Sequence, residues 1–556
     1  MRGLDRQFLI ELCTTDKTYP RLEGDFLIVE CQLGDGSRIE LSLDIARETF
    51  YKLPEFSVNL KRHPRLAGLP HVGPSGGICS SDATKSQPNP ERPEQCIKET
   101  LDRAIAVLDE GIAGSNYDDY AEELNAYWMM ESTYFGYICD AFPSRAQTIY
   151  AAFAKIGRKK IPCFASSKQT AIEFAAHLGD HSNHTVDTIP CLFLQLSQPL
   201  SFPLPTTYRE WDEEIGRSGK HTQNKYRSFL CESKRKKGFI ILGVPSESRR
   251  YIAGFLQDKT PNYHGFRAKT PKRHERALKD LSYSKKKALK YHLENISQER
   301  LFNRGGSGQG LYGTFGIIGC GSLGSYLAKS LADAGASKFL LIDDEILGVE
   351  NVARHACGFS YIGENKAQAM KKLLERDNPN VRCTSFVDDA NLIIDDSPQL
   401  LNNSQTVFVT AADSPIEYHC VRALCNKTLT CPLVIMWVEP FALVAHAIVL
   451  NKPQDVINDM FDENLAFANP AILNSGDFLR REAGCQSSYM PYSGLDVQAF
   501  LHSFIRVWGS DTTIRKDRNY HFIWTGKLSA AGKLDATVAS QYARMNDYSF
   551  SIERID

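Results

Sequence analysis

The sequence predicts a multidomain chain that mixes α/β and α+β architecture, and three observations carry that expectation. From Thr314 to Lys366 an apolar run, a glycine turn, a helical period and a second apolar run follow one another, as in a nucleotide-binding βαβ unit. Near the start, Arg21–Leu43 alternates as a strand pair about Gly34-Asp35-Gly36, with helical periods after it. A length of 556 residues allows roughly three to four domains. The expected boundaries are 1–145, 146–295 and 296–556.

Composition narrows the function classes. A formal net charge of −1 gives no global field that points to nucleic acid or to a membrane. Arg2, Asp5, Arg6 and Glu11 stand where a signal peptide would have its apolar core. The 15 cysteines are scattered, so free thiols in a reducing cytoplasm are expected. The longest apolar region, Pro432–Leu450, is broken by Glu439, Pro440 and His446 and reads as two strands around a turn; no membrane span is expected.

In the N-terminal region, Phe26, Leu27, Ile28 and Val29 supply one strand, and Ile39, Leu41 and Leu43 alternate along the next. A loop rich in Pro and Gly follows and carries His71 and Cys79. Ile97, Leu101, Ile105 and Leu108 share one face of a helix, and a second helix covers about Tyr117–Met130, with Glu122, Tyr127 and Trp128. Cys79 taken alone reads as a small buried hydrophobe. The sharper reading is a nucleophilic thiol, because a loop lets a second protein's acyl group reach it. His71 could brace the loop or steady an oxyanion.

In the middle region, Pro190–Leu196 and Gly238–Val244 suit buried strands and Ala171–His177 a helix, which suggests a small α+β connecting domain. His177, His181 and His184 have ligand-like spacing, but Gly179 interrupts the helix and a solvated loop is the preferred reading. Two basic runs, 233–237 and 267–290, read as solvated faces; the second holds ten Lys/Arg against Glu275 and Asp280. Docking of an acidic partner or nucleic acid is the alternative, and thin aromatic interleaving argues against nucleic acid. Asn303–Gly308 reads as a flexible lead-in, with Arg304 in it.

The organising stretch comes next. Phe315, Ile317 and Ile318 end at Gly319, and Gly319, Gly321 and Gly324 form G-x-G-x-x-G before a helix marked by Leu323, Leu327 and Leu331. Such a turn lets a phosphate approach the N–H groups of the helix N-terminus. Phe339–Ile342 leads to Asp343, which is 343 − 324 = 19 residues past the last glycine and in reach of a ribose hydroxyl. Up to this point an NAD-dependent dehydrogenase reads the same. Asn351, Arg354, His355 and Lys366 then separate the two, because a triphosphate needs charge held on its outer phosphates. Val407–Thr410 ends in Ala411-Ala412-Asp413, and an acid there suits Mg²⁺.

With these residues in place, about Gly310–Asp413 resembles the ThiF/MoeB/ubiquitin-activating adenylation domain, a Rossmann-like fold. The resemblance implies a Mg-ATP site that adenylates a protein's C-terminal carboxylate. It implies Asp343 on the ribose, Asn351, Arg354 and Lys366 on the phosphates, and Asp413 on Mg²⁺. Glu345 stands where the family often has Asp, and the paired C-x-x-C zinc sites are absent, so no structural zinc is implied. The spacing H-x-x-x-x-x-G-x-C from His71 to Cys79 resembles the active-site loop of ubiquitin-conjugating enzymes in a divergent bacterial form. Pro70-His71-Val72 replaces the usual His-Pro-Asn.

In activating enzymes a crossover-loop cysteine attacks the acyl-adenylate, and Cys485 between helical stretches lies in the corresponding part of the chain. Its rivals are Cys357, Cys420, Cys425 and Cys431, the last three explained by packing. Together the parts resemble a bacterial conjugating/activating fusion of the kind found in type II CBASS anti-phage operons. That implies a thioester on Cys485, transfer to Cys79 and conjugation to an acceptor lysine. The activated tail would belong to a cGAS-like nucleotidyltransferase or to a ubiquitin-like protein. The resemblance also implies a homodimer, with Arg304 a candidate to reach ATP across it. A sulfur-carrier adenylyltransferase and a non-enzymatic scaffold remain as other readings.

Overall fold

The computed structural model describes residues 4–46, 51–81, 86–116, 119–120, 123–141, 144–179, 187–232, 236–245, 250–262, 271–305, 310–452, 460–481, 488–511, 514–515 and 518–555. The chain divides into two compact units, Met1–Asn295 and Ile296–Asp556. Among the described residues no helix is long and apolar enough to cross a membrane.

The first unit opens with an antiparallel meander of Thr18–Glu23, Phe26–Gln32, Arg38–Asp44 and Ser57–Val58. Alternation puts Leu27 opposite Leu43, Val29 opposite Leu41 and Cys31 opposite Ile39, all of them buried. That apolar face needs a cover, and the helix Pro93–Ala113 supplies it with Ile97, Leu101, Ala104 and Leu108, each 0% exposed. Pro93 starts this helix, where its missing N–H costs nothing, and Gly114 ends it in the left-handed region at φ +74°. The helix Arg6–Cys13, capped by the Asp5 carboxylate, buries Leu9 and Cys13 in the same core. The second expected helix spans Leu124–Glu131, with Trp128 buried, and Glu122 lies outside the described residues.

The rest of this unit mixes helices and strands, as the α+β connector suggested by the sequence does. Seven strands close into a barrel: Arg250–Asp258, Leu289–Asn295, Tyr134–Ile138, Lys159–Ala165, Gln147–Ile156, Ile189–Gln195 and Lys237–Pro245. Ile149, Phe164, Phe193, Phe239 and Ile241 fill one cluster of its core. The helix Lys168–Leu178 is present, with Ser167 as its cap. His177 lies in its last turn, and His181 and His184 lie outside the described residues.

The second basic run is not a uniform solvated face. Lys272, Arg276 and Lys285–Lys287 are exposed. Arg273 is buried and donates to the Cys231 carbonyl at 2.6 Å. Lys290, on the strand Leu289–Asn295, is buried in an ion pair with Glu131 and lies 5.1 Å over the Trp128 ring. Long cationic side chains cover apolar surface with their stems and stay buried only where a partner meets the head.

The second unit is built on an eight-stranded sheet in the order Arg382–Phe386, Lys338–Ile342, Thr314–Ile318, Thr406–Val409, Leu433–Val438, Val444–Leu450, Asn519–Thr525, Phe550–Ile555. The first five are parallel and the remainder antiparallel. The helix Ser322–Asp333 packs Leu323, Leu327 and Leu331 into a core shared with Val497, Phe500, Phe504 and Trp508 of the helix Gly494–Ser510. The expected flexible lead-in is helical as far as Gly305, within Gln298–Gly305. The side chain of Arg304 and residues 306–309 lie outside the described residues.

Candidate functional site

In the second unit the glycine turn leaves the strand Thr314–Ile318 at its carboxyl end and enters the helix Ser322–Asp333. Its three glycines are glycine for different reasons. Gly319 takes φ +86°, and a Cβ there would stand 2.6 Å from the Ala411 backbone. A Cβ on Gly324 would collide with the Gly319 carbonyl. A Cβ on Gly321 would meet nothing within 4 Å, so packing does not demand glycine there, whereas a close ligand would. The Ser322 hydroxyl beside it is buried with no hydrogen-bond partner. An open position and an orphaned donor at the N-terminus of a 12-residue helix fit a phosphate.

Asp343 ends the neighbouring strand and is 9% exposed. Its carboxylate accepts from the Cys320 N–H at 2.6 Å and the Glu345 N–H at 2.9 Å. Burial pushes this carboxyl up, against the opposing charge of Lys366. Lys366 begins the helix Lys366–Asp377, is itself buried, and pairs with Glu345. Asn365 ties the same turn together by donating to the Asp343 and Glu345 carbonyls at 2.8 and 3.0 Å. The structure therefore gathers the turn, Asp343, Glu345 and Lys366.

His355 does not act as a cation here. It is 4% exposed, its Nε2 lies 2.7 Å from the Cys320 carbonyl, and its Nδ1 accepts from the Cys357 N–H. Burial lowers its pKa to about 4. The neutral ring braces the glycine turn from below. Asn351 also has a local role, accepting from the Gly348 N–H at 3.0 Å at the start of Val349–Arg354. Arg354 donates to the Met490 carbonyl at 3.2 Å and lies 5.4 and 5.3 Å from the Tyr489 and Tyr492 rings.

Asp413 is exposed and caps the helix Ser414–Cys425 by accepting from the Ile416 N–H at 3.1 Å. Glu417, one turn on, is buried, and its carboxyl is pushed up to about 7 by burial and then by the Asp413 charge. The sequence reading missed Glu417; its only signal was the i,i+4 spacing from Asp413. No group of three or more metal-ligating side chains occurs among the described residues. A lone carboxylate with a like-charged neighbour suits a Mg²⁺ ion held mainly by phosphates and water.

In the first unit Cys79 is exposed, contrary to the buried reading. It opens on a cleft of about 690 Å³ lined in part by Tyr51, Leu53, Pro54, Glu55 and Ser80. The loop is pinned by bridges of Ser57 to Gly77 and Val72 to Ile78. The Cys79 N–H donates to the His71 carbonyl at 2.8 Å, and His71 sits in the left-handed region at φ +64°. Its imidazole lies between Asp119 and Glu123, 3.3 and 3.4 Å away. The ring's pKa is raised to about 9, most by its hydrogen bond with the Cys79 side chain. Asp119 and Glu123 had no signal in the sequence, being 48 and 52 positions from His71.

Cys485 lies outside the described residues, within 482–487. Its flanks are not helical: Arg480–Arg481 pairs antiparallel with Ser488–Tyr489. Among its rivals, burial pushes the Cys357 thiol up to about 12 and Cys431 up to about 11. Cys420 is fully buried and pushed up further, and Cys425 is half-buried. Thiols raised by burial make poor nucleophiles.

Residues 313–451 match the ThiF family, and residues 16–135 match the prokaryotic E2 family B. The chain is 24% identical over 503 residues to the ATP-dependent ubiquitin transferase-like protein Cap2 of Pseudomonas aeruginosa (strain BWHPSA011 / Pa011), covering 86% of this chain and 85% of that protein. Over 71 residues it is 37% identical to the adenylyltransferase and sulfurtransferase MOCS3 of Mus musculus, 13% of this chain and 15% of that one. Among solved structures, PaaA matches 44% of this chain and 64% of its own length, at 15% identity and a TM-score of 0.28.

Proposed function

We propose that this polypeptide, which carries a segment matching the prokaryotic E2 family B ahead of one matching the ThiF family, is a fusion of a conjugating-type and an activating-type module. From that premise we propose that it is an ATP-dependent ligase that adenylates a protein's C-terminal carboxylate, captures the acyl group on Cys485, passes it to Cys79 and delivers it to a lysine amine. The observation that carries the reading is an exposed thiol held beside an imidazole in the first segment, joined to a phosphate-ready glycine turn in the second. The name of the Pseudomonas relative, a ubiquitin transferase-like protein, agrees with it.

The activating site works by positioning and charge. Gly321 and the first N–H groups of Ser322–Asp333 receive phosphate oxygens, and Asp343 accepts from the ribose. Lys366 leaves its pair with Glu345 to meet phosphate charge. Asn351 and Arg354 belong to the same phosphate-binding set. Asp413 would hold Mg²⁺, which would supply positive charge at the outer phosphates. The tail's carboxylate attacks the α-phosphorus, the P–O bond to pyrophosphate breaks, and the acyl group becomes bonded to AMP. The Cys485 thiolate then displaces AMP. Exchange of that thioester onto Cys79 is nearly isoenergetic, so the activation is retained until an amide forms. His71 provides positive charge beside the Cys79 sulfur.

Within a CBASS anti-phage setting the tail is that of a cGAS-like nucleotidyltransferase. A ubiquitin-like protein is the alternative tail, and the working unit is a homodimer in the cytoplasm. A sulfur-carrier adenylyltransferase, which the MOCS3 likeness brings to mind, would leave residues 16–135 without a task. The test is to incubate the purified chain with labelled ATP and candidate tails. Tail-dependent ATP–pyrophosphate exchange together with a lysine-linked product is expected; exchange with no lysine-linked product would return the chain to sulfur-carrier activation.

A further inference from the structure

His71 is constrained on every side. Its N–H donates to the Tyr127 hydroxyl at 2.5 Å, and its carbonyl receives the Cys79 N–H at 2.8 Å. A non-glycine residue at φ +64° is strained and persists only when its surroundings enforce it. Tyr127 supplies that enforcement from the helix Leu124–Glu131, and its hydroxyl also donates to Glu123 at 3.1 Å. Burial pushes the Tyr127 hydroxyl up, so it stays a neutral donor.

The ring faces two carboxylates at once. Nε2 lies 3.3 Å from Asp119 Oδ2 and Nδ1 lies 3.4 Å from Glu123 Oε2. A neutral imidazole has a single N–H and would turn a lone pair toward one of these carboxylates; an imidazolium donates to Asp119 from Nε2 and meets Glu123 by charge, its buried Nδ1 making no hydrogen bond. The imidazole side chain is 15% exposed, so solvent screens this arrangement only in part. Among the described residues, Cys79, Asp119, Glu123 and Tyr127 are the ionisable groups around it.

We propose that Asp119 and Glu123 are positioning residues that hold His71 as an imidazolium against Cys79, so that the sulfur leaving a thioester meets a fixed positive charge. The inference rests on the reading of Cys79 as a thioester carrier and goes beyond it by assigning the carboxylates that favour the ring's charge beside the Cys79 sulfur. In the discharge step the amine nitrogen bonds to the acyl carbon and the carbon–Sγ bond breaks. Cys79 departs as a thiolate with the bonding electron pair, and the amine's proton passes to water. His71 keeps its proton throughout. The Cys79 side chain raises the ring's pKa most, and the Glu123 and Asp119 charges raise it further; the carboxylate part remains when the sulfur carries an acyl group, and the charge it favours is lost as pH rises.

The experiment has two arms, both on the full chain and on the Asp119→Asn/Glu123→Gln double variant. The first follows carbethoxylation of His71 by diethyl pyrocarbonate against pH, read by peptide mass spectrometry, since only a neutral ring reacts. The variant's midpoint should fall by about one to three pH units, with reaction about tenfold or more faster near pH 7.5. An unchanged midpoint overturns the proposal. The second arm charges Cys79 with a labelled tail and follows discharge to hydroxylamine. The high-pH limb of the rate should move down by a similar interval. A rate that merely scales, with its limb in place, assigns Asp119 and Glu123 a structural role and overturns the use of the charge. If the wild-type chain shows the predicted carbethoxylation but never carries acyl on Cys79, the thioester reading fails and the ionised cluster stands.

Discussion

The nucleotide turn is built from backbone and the Cys79 loop from side chains. In the first, Gly319, Gly324, the Cys320 N–H and the Ala411 backbone approach so closely that there is no room for a Cβ at Gly319 or Gly324. In the second, a left-handed His71 is held by Tyr127, Asp119 and Glu123 from a different part of the unit. A backbone site presents fixed dipoles to a common ligand. A side-chain site can be tuned one group at a time. The two should therefore fail differently when mutated.

The largest effect is expected at Gly324→Ala. The added methyl has only the Gly319 carbonyl and the Thr410 hydroxyl to displace, so the turn cannot close. Exchange activity should vanish, and thermal unfolding should show a loss of several kcal/mol, about 3 or more. Asp343→Asn comes next. Each carboxylate oxygen accepts a backbone N–H, and an amide would place its own NH₂ against one of them. About 1–3 kcal/mol of stability and roughly a hundredfold in exchange should be lost. Gly321→Ala sharpens the contrast. Its methyl enters open space, so the melting temperature should hold while nucleotide affinity falls about tenfold, or roughly 1.4 kcal/mol. If Gly321→Ala unfolds the chain, or Gly324→Ala does not, the backbone account of this site is wrong.

These glycines were legible because G-x-G-x-x-G and the acid 19 residues beyond it are local patterns whose stereochemistry is fixed within one strand–turn–helix unit. The Phe26–Asp44 hairpin was legible for the same reason, through alternation about Gly34-Asp35-Gly36. The barrel was not. It closes by pairing Tyr134–Ile138 in parallel with Leu289–Asn295, and no local period records a partner some 150 residues away. The burial of Arg273 and Lys290 within a basic run was hidden too, because charge predicts exposure until a distant partner such as Glu131 is known. His355 read as a cation beside Arg354. Only the tertiary contact with the Cys320 carbonyl reveals a neutral brace.

A separate effect concerns pH. Glu417 has its folded pKa raised from 4.5 to about 7 by burial and the Asp413 charge. A carboxyl raised on folding binds more protons folded than unfolded across that interval, so its contribution to stability is present below about 4.5 and is lost as pH rises through about 7. Glu417→Gln should remove that slope. Comparing the two chains by chemical denaturation at about pH 5 and pH 8 isolates up to about 3 kcal/mol from this group. Equal slopes would show that Glu417 titrates normally.

The central claim is that one chain makes an acyl group electrophilic in its second unit and carries it on a thiol in its first. The most direct measurement is to quench the chain with ATP and a labelled tail, and to resolve thiol-labile adducts for the wild type, Cys79→Ala and Cys485→Ala. The account predicts adducts on both cysteines in the wild type, an adduct held on Cys485 in Cys79→Ala, and none in Cys485→Ala despite continued pyrophosphate exchange. Normal conjugation by both variants would contradict it.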